Sequence, residues 1–403
     1  MIVAVLFGSR SVEHDVSVVT ALQLMDHVQG HEVLPVYVGR EGGMYTGPGL
    51  RNVKAYQPFV AADHTPVTLE PFSHAFRAVQ PARKLFSASY QAFPFDVVIP
   101  AFHGLNGEDG TIQGLLELCN VPYTSAGMLG SAACMDKGLM KEAIRGAGFP
   151  VLPCEVIGRD RWDEEPEAVL TLLEERLGYP LFVKPANLGS SIGISKATDR
   201  DGLRSALDVA VHYDRRIVIE KGLEQVMEIN CAGLGYGDDV QASVCEEPLS
   251  WQQFLTFDAK YLAGSGKTGG KTGGKNANAA EASGSMANMG RIIPAGISDE
   301  ETQQVQRMTV DLFKLFDLKG VVRVDYLRDQ ATGKLYVNEI NTIPGSFAFY
   351  LWEPMGIAYP QLIERMLGYA KAAHAQKNRN QYAFDSSLLQ SYGGGVKGTK
   401  GQK

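Results

Sequence analysis

Arg323-Val324-Asp325-Tyr326-Leu327, a turn at Asp329-Gln330-Ala331-Thr332-Gly333-Lys334, and the return Leu335-Tyr336-Val337-Asn338-Glu339-Ile340-Asn341-Thr342-Ile343-Pro344-Gly345 form the stretch on which the fold is decided. Side chains alternate faces along a strand. Arg323 and Asp325 therefore share one face, opposite Val322, Val324 and Tyr326, and Glu339 and Asn341 share a face on the return. Asp325 and Glu339 are equally far from Thr332, so a hairpin sets them side by side. Two carboxylates and an amide oxygen make a hard, oxygen-rich donor set, suited to magnesium bridging nucleotide phosphates. His and Cys, which softer metals prefer, are absent from it. A single solvated carboxylate on an edge hairpin is ordinary; four polar groups on one face beside Asn341-Thr342-Ile343-Pro344-Gly345 point to a site.

A second segment, Phe182-Val183-Lys184-Pro185-Ala186-Asn187-Leu188-Gly189-Ser190-Ser191-Ile192-Gly193, complements the first. A lysine at a strand end is a fixed point charge for phosphate oxygens. The Gly/Ser loop after it offers backbone N–H and hydroxyl donors and can fold over phosphates. Alone, such a loop reads equally well as a flexible surface turn. Ile217-Val218-Ile219-Glu220-Lys221-Gly222 is a buried strand ending in a charged pair, either an adenine-binding linker or a plain charged strand end. Phe7-Gly8-Ser9-Arg10-Ser11-Val12-Glu13-His14-Asp15-Val16-Ser17 runs from strand through loop into helix. Its N–H groups and Glu13 suit a zwitterionic substrate; read locally, the stretch is a capping loop served by Asp15 or Ser17. His103 follows the buried run 95–102, at the kind of strand end where sites on parallel sheets lie.

The chain has 403 residues, 45% hydrophobic and 21% charged, with net charge −7. That length implies two or three domains, and the acidic balance argues against a nucleic-acid binder. Met1-Ile2-Val3-Ala4-Val5-Leu6-Phe7 lacks a basic start and ends at Gly8, so it reads as a buried strand rather than a signal peptide. No apolar stretch is long enough to span a membrane. Cys119, Cys134, Cys154, Cys231 and Cys245 form no C-x-x-C pair and read as reduced core thiols.

Strand-like runs at 2–7, 32–38 and 95–102, alternating with helical periodicity at 17–28 and 110–119, predict a parallel sheet covered by helices. Further helices are predicted over 131–148 and 199–213, and strands over 181–183 and 216–220. The domains expected are 1–124, 125–222 and 223–371, with a glycine-rich lid loop at 257–290 and a tail at 372–403 that is disordered at its end. Within the lid, Lys267-Thr268 and Lys271-Thr272 follow glycine, but the first Gly of a phosphate-loop motif is replaced by Tyr261 and Ser265, and no apolar strand leads in. A lid or linker is the better reading.

Taken together these residues resemble the D-alanine–D-alanine ligase family, on the α/β ATP-grasp fold: three domains, an N-terminal parallel-sheet domain and two α+β domains enclosing ATP. The resemblance covers about residues 2–367 and is strongest at 11–17, 103–117, 135–137, 183–193, 258–261 and 323–345. It implies that Glu13 binds the ammonium of the first D-alanine, with His103 near its carboxylate. Lys137, Lys184 and Lys260 would contact the ATP phosphates, and Ser191 belongs to the loop over them. Glu220, Lys221 and Leu223 would frame the adenine and Glu228 the ribose. Asp325, Glu339 and Asn341 would hold two magnesium or manganese ions. Glu13, Ser190 and Tyr261 would form a lid-closing triad, and Arg323 with the N–H of Gly345 would stabilise the oxyanion. The implied setting is peptidoglycan precursor synthesis in the cytoplasm by a homodimer, with small-molecule substrates and neither nucleic acid nor membrane as partner.

Two departures stand out. The serine that takes the second D-alanine's carboxylate falls on Tyr350, or on Leu351 if Pro354 sets the register, and the lid after Tyr261 is longer than usual. A sister ligase joining D-alanine to D-serine, D-lactate or another D-amino acid is therefore the alternative. A non-catalytic nucleotide-binding module is a third reading, opposed by the presence of Lys137, Lys184, Asp325, Glu339 and Asn341.

Overall fold

The apolar run after Met1 becomes the strand Ile2–Gly8, buried from Val3 onward. It pairs in parallel with Glu32–Val38 on one side and Val97–Pro100 on the other. The computed structural model describes residues 1–80, 82–84, 87–248 and 290–383. Among the described residues, parallel pairing in the first sheet is confined to these three strands. Met44–Thr46, Thr65–Glu70, Ala75–Ala78 and Ala92–Pro94 extend it to seven strands through antiparallel pairings. The expected parallel sheet is thus the core of a mixed one. Parallel neighbours need a helical crossover, and the strands between 44 and 94 are joined by turns and short 3-10 segments instead.

The middle of the chain forms a four-stranded antiparallel sheet, in the order Cys154–Gly158, Arg216–Lys221, Leu181–Pro185, Ser195–Ala197. Its own core includes Leu173, Val183, Leu207 and Ile219. A five-stranded antiparallel sheet follows, in the order Arg291–Ile292, Asp239–Pro248, Val226–Tyr236, Lys319–Asp329, Leu335–Asn341. The helix Asp299–Leu315 packs on it through Val305, Met308 and Leu312, and starts in a capping box of Ser298 and Glu301.

The single helix expected over 131–148 is two, Met128–Met135 and Lys137–Gly146. Asp136 is extended between them, and its Oδ1 accepts the N–H of Leu139 at 3.0 Å. An aspartate competes for local backbone donors and so favours a cap over a helix interior. By sequence both helices belong to the middle domain. By packing they join the third core, through Cys134, Met140 and Ile144.

The C-terminal helix Tyr359–Lys377 runs past the expected end at 371. Its last turn is held by the first domain: Lys377 Nζ donates to the Glu117 carbonyl at 2.8 Å, and the His374 ring meets the Asn120 carbonyl at 2.9 Å. Leu362, Ile363, Met366 and Leu367 share one core with Val3, Val5 and Phe7 of the first sheet. All five cysteines are free thiols, four of them buried. Among the described residues no helix is long and apolar enough to cross a membrane. Most of the expected lid, and the tail beyond 383, lie outside the described residues.

Candidate functional site

The hairpin pairs near the site as its symmetry requires: Asp325 faces Glu339, and Arg323 faces Asn341. Toward the turn the register shifts by one, so Tyr326 faces Val337. Asp325 is 1% exposed. Arg323 grips both its oxygens, Nε to Oδ1 at 2.6 Å and Nη2 to Oδ2 at 2.7 Å, and Asn341 donates Nδ2 to Oδ2 at 3.0 Å. Burial alone would depress the Arg323 guanidinium, but the Asp325 charge more than offsets it and raises its pKa. The line continues across the sheet, because Asp325 faces Asn230 and Asn230 faces Glu246. Opposed residues on neighbouring strands share a face. Glu246, Asn230, Asp325 and Glu339 therefore form one polar row over four strands.

At the Glu339 end of this row opens a cavity of about 520 Å³ between the two antiparallel sheets. Lys137, Lys184, Ser191, Glu220, Lys221, Leu223, Glu228 and Glu339 all line it. Lys137 Nζ donates to the Leu188 carbonyl at 2.6 Å and lies 3.7 Å from Glu339. Lys184 Nζ reaches Asn338 Oδ1 at 3.3 Å. Phe182, Leu152, Ile194 and Leu327 supply apolar wall, as a flat heteroaromatic ring would need.

Glu220 departs from the expected arrangement. Its carboxylate is 1% exposed and lies between two ammonium groups, Lys141 at 2.5 Å and Lys184. Burial alone would raise its pKa; the charges and hydrogen bonds of the two lysines overturn that and hold it at about 2. The Glu220 side chain thus fixes Lys184. Lys141 is a residue the sequence does not single out, although it stands one helical turn after Lys137, the spacing that puts two side chains on one face.

Glu13 lies where the two loops close. The Ser190 hydroxyl donates to its carboxylate. A Cβ on Gly189 would come within 2.9 Å of that carboxylate, and one on Gly104 would collide with it. Gly104 also has φ +72°. Ser190 and Ser191 are both left-handed, at φ 53° and 59°, and such residues cost roughly 1–3 kcal/mol each and persist where surroundings hold them.

His103 is buried, its Nε2 2.8 Å from the Thr20 hydroxyl. Burial lowers its pKa to about 4, so the ring is neutral at pH 7. Glu108, another residue that the sequence does not single out, accepts the N–H of Gly104 at 2.8 Å and of Ile343 at 3.1 Å. Burial, then the charge of Glu13, pushes it up to about 8.

Beyond Gly345 the chain makes a left-handed turn at Ser346, Phe347 and Ala348, with φ 48°, 55° and 49°. Leu351 does not fit a side-chain substrate contact. It is fully buried in the core beside Trp352, because the turn sends it inward. Tyr350 is buried in the same core, and its hydroxyl donates to Glu246 Oε1 at 3.0 Å. Lys260 and Tyr261 lie outside the described residues. Among the described residues no three His, Cys, Asp or Glu cluster as a metal cage, in keeping with a donor set of two carboxylates and an amide.

The family model for the D-ala D-ala ligase N-terminus matches residues 2–126, and that for the D-ala D-ala ligase C-terminus matches 143–283 and 279–368. A D-alanine--D-alanine ligase of Heliobacterium modesticaldum is 38% identical over 386 residues, covering 94% of this chain and 96% of its own. One of Bacillus velezensis is 36% identical over 391 residues, covering 94% and 100%. Among solved structures, the D-alanine-D-alanine ligase from Coxiella burnetii superposes with TM-score 0.76 at 25% identity, over 97% of each chain. The VanG D-Ala:D-Ser ligase from Enterococcus faecalis gives 0.73 at 26%, over 92% of this chain and 99% of its own.

Proposed function

The chain belongs to the D-alanine–D-alanine ligase family, and from that membership we propose that it joins two D-alanines into D-alanyl-D-alanine at the expense of ATP, for peptidoglycan precursor synthesis. The observation that carries the reading is the cavity that brings Lys184 and Lys221 of the middle sheet together with helix-borne Lys137 and, 3.7 Å from Lys137, Glu339 of the metal-type row.

In this reading Glu13 holds the ammonium of the first D-alanine. His103, being neutral, lies near its carboxylate without adding charge. Lys137 and Lys184 lie against the phosphates and Ser191 contributes loop donors, with Glu220, Lys221, Leu223 and Glu228 around the nucleoside. A carboxylate oxygen of D-alanine attacks the γ-phosphorus, the bond to the β-γ bridging oxygen breaks, and ADP leaves. The neutral amine of the second D-alanine then attacks the carbonyl carbon of the acyl phosphate. Arg323 and the N–H of Gly345 stabilise the oxyanion. Collapse breaks the C–O bond to phosphate, and the nitrogen loses a proton. Asp325, Glu339 and Asn341 would hold two magnesium or manganese ions; Asp325 is already fixed by Arg323 and Asn341, and an all-oxygen set fits a hard cation. Bound there, the ions would offset charge on the transferring phosphoryl group. Lys260 and Tyr261 would complete phosphate binding and lid closure. The setting is the cytoplasm and the working unit a homodimer.

The test is ADP release with ATP, magnesium and D-alanine alone, the product identified by mass. Dipeptide formation supports the reading; no turnover with any acceptor revives the non-catalytic module. A specific observation favours a second reading, D-alanine joined to another acceptor: Tyr350 stands where a serine is expected, and one similar structure is a D-Ala:D-Ser ligase. ADP release only after D-serine or D-lactate is added would select it.

A further inference from the structure

The acceptor amino acid brings a carboxylate into a site already crowded with carboxylates. A buried anion needs a paired cation. Arg323 is already clamped on both oxygens of Asp325. A second guanidinium stands on the same side. Arg291 lies over the Tyr350 ring, its Cζ 3.9 Å from the centroid, and its Nη1 is 3.0 Å from Glu246 Oε2. Glu246 in turn accepts the Tyr350 hydroxyl at 3.0 Å and Asn230 Nδ2 at 3.0 Å. The ring and the carboxylate hold the guanidinium in place, and a planar fork so held suits a carboxylate.

Position supports this. Arg323 grips Asp325 and Arg291 meets Glu246, two strands apart along the row, about 10 Å between backbones by strand spacing. An acceptor amino acid lying between these two guanidinium groups would set its amine at Arg323 and its carboxylate at Arg291. The left-handed turn at Ser346, Phe347 and Ala348 is what delivers Tyr350 to this end of the row. Backbone kept in such a conformation concentrates at functional sites.

We propose that Arg291, braced by Glu246 and stacked on Tyr350, receives the carboxylate of the acceptor amino acid, in place of the serine expected at position 350. Arg291 is then a specificity-determining residue, with Glu246 and Tyr350 as positioning residues. The proposal rests on the ligation reading above.

The test uses the full chain with ATP, magnesium, D-alanine and hydroxylamine together. Hydroxylamine attacks the same acyl phosphate but carries no carboxylate, so the ratio of dipeptide to D-alanine hydroxamate reports the acceptor step alone. Arg291→Met should lower that ratio about 10- to 100-fold, with hydroxamate formation near the wild-type rate. Arg291→Lys should restore part of it, and Tyr350→Phe should lower it less. An unchanged ratio overturns the proposal. So does loss of both products in Arg291→Met and Arg291→Lys alike, which would make Arg291 a structural brace. If the wild-type chain itself yields neither product, the ligation reading fails and the proposal falls with it.

Discussion

Glu108 accepts the backbone N–H of Ile343 at 3.1 Å, across 235 positions of chain. With its second bond, from Gly104, this carboxyl ties the loop after Val97–Pro100 to the loop that ends the C-terminal sheet. The donor-side and oxyanion-side loops are thereby held at a fixed separation.

That bond carries a pH dependence. Burial and then Glu13 raise the Glu108 pKa from 4.5 to about 8. The folded state therefore binds the proton more tightly than the unfolded state. Its contribution to stability is fully present below about pH 4.5 and is lost as pH rises toward 8. Glu108→Gln cannot ionise, so it should gain on the wild type over that window. Urea midpoints at pH 5, 6.5 and 8 measure this; a wild-type-to-variant difference that does not change with pH would count against it.

Glu220 runs the opposite way. Its pKa is held at about 2, below its unfolded value, so its contribution is present above about pH 4.5 and is lost as pH falls toward 2. Glu220→Gln leaves Lys141 and Lys184 buried without their shared anion. It should cost about 3–5 kcal/mol at pH 7, with the difference from wild type shrinking in acid. ATP affinity should fall in parallel as Lys184 loses its brace. Urea unfolding between pH 3 and 7, with nucleotide titration at pH 7, gives both readouts.

Glu339→Gln keeps the shape of the row and removes one charge from the metal-type pair. Turnover should fall by about 100-fold or more, and the magnesium concentration for half-maximal rate should rise. Unchanged turnover with an unchanged magnesium profile would remove Glu339 from the ion site.

Gly104→Ala and Gly30→Ala form a matched pair. Both glycines are left-handed, at φ +72° and +70°, but an added Cβ meets the Glu13 carboxylate at Gly104 and nothing within 4 Å at Gly30. Gly30→Ala should show only the backbone cost, about 1 kcal/mol. Gly104→Ala should cost more and also raise the KM for the first D-alanine. Equal effects on stability and KM would show that closeness to Glu13 is unimportant.

The legible parts of this molecule are those fixed by short-range rules. The Asp325–Glu339 pairing agrees with a count outward from Thr332. The register at the turn, Arg328 to Leu335, would nevertheless set Asp325 against Asn338, and the one-residue shift between Asp325 and Tyr326, which no count reveals, brings Glu339 opposite it. The parallel heart of the first sheet is visible in unbroken apolar runs. Its antiparallel extension is not, since strands of three to six residues carry little periodicity. Glu220 reads as an adenine neighbour from its position at a strand end. Its partnership with Lys141 depends on a helix from another packing unit and has no local signal. The full burial of Leu351 is not legible in sequence, because three successive left-handed residues, none of them glycine, turn the chain just before it. Glu108 and Arg291 act through partners 235 and 45 positions away, Ile343 and Glu246, and no short window of sequence holds either pair.

The shared core of Tyr359–Lys377 with Ile2–Gly8 has a consequence for synthesis on the ribosome. The amino-terminal sheet emerges first, yet one of its faces is covered by the last described helix. Until Tyr359–Lys377 has emerged, Val3, Val5 and Phe7 lack that cover and the nascent chain exposes apolar surface. A strand this far ahead of its covering helix waits for it through most of the intervening chain.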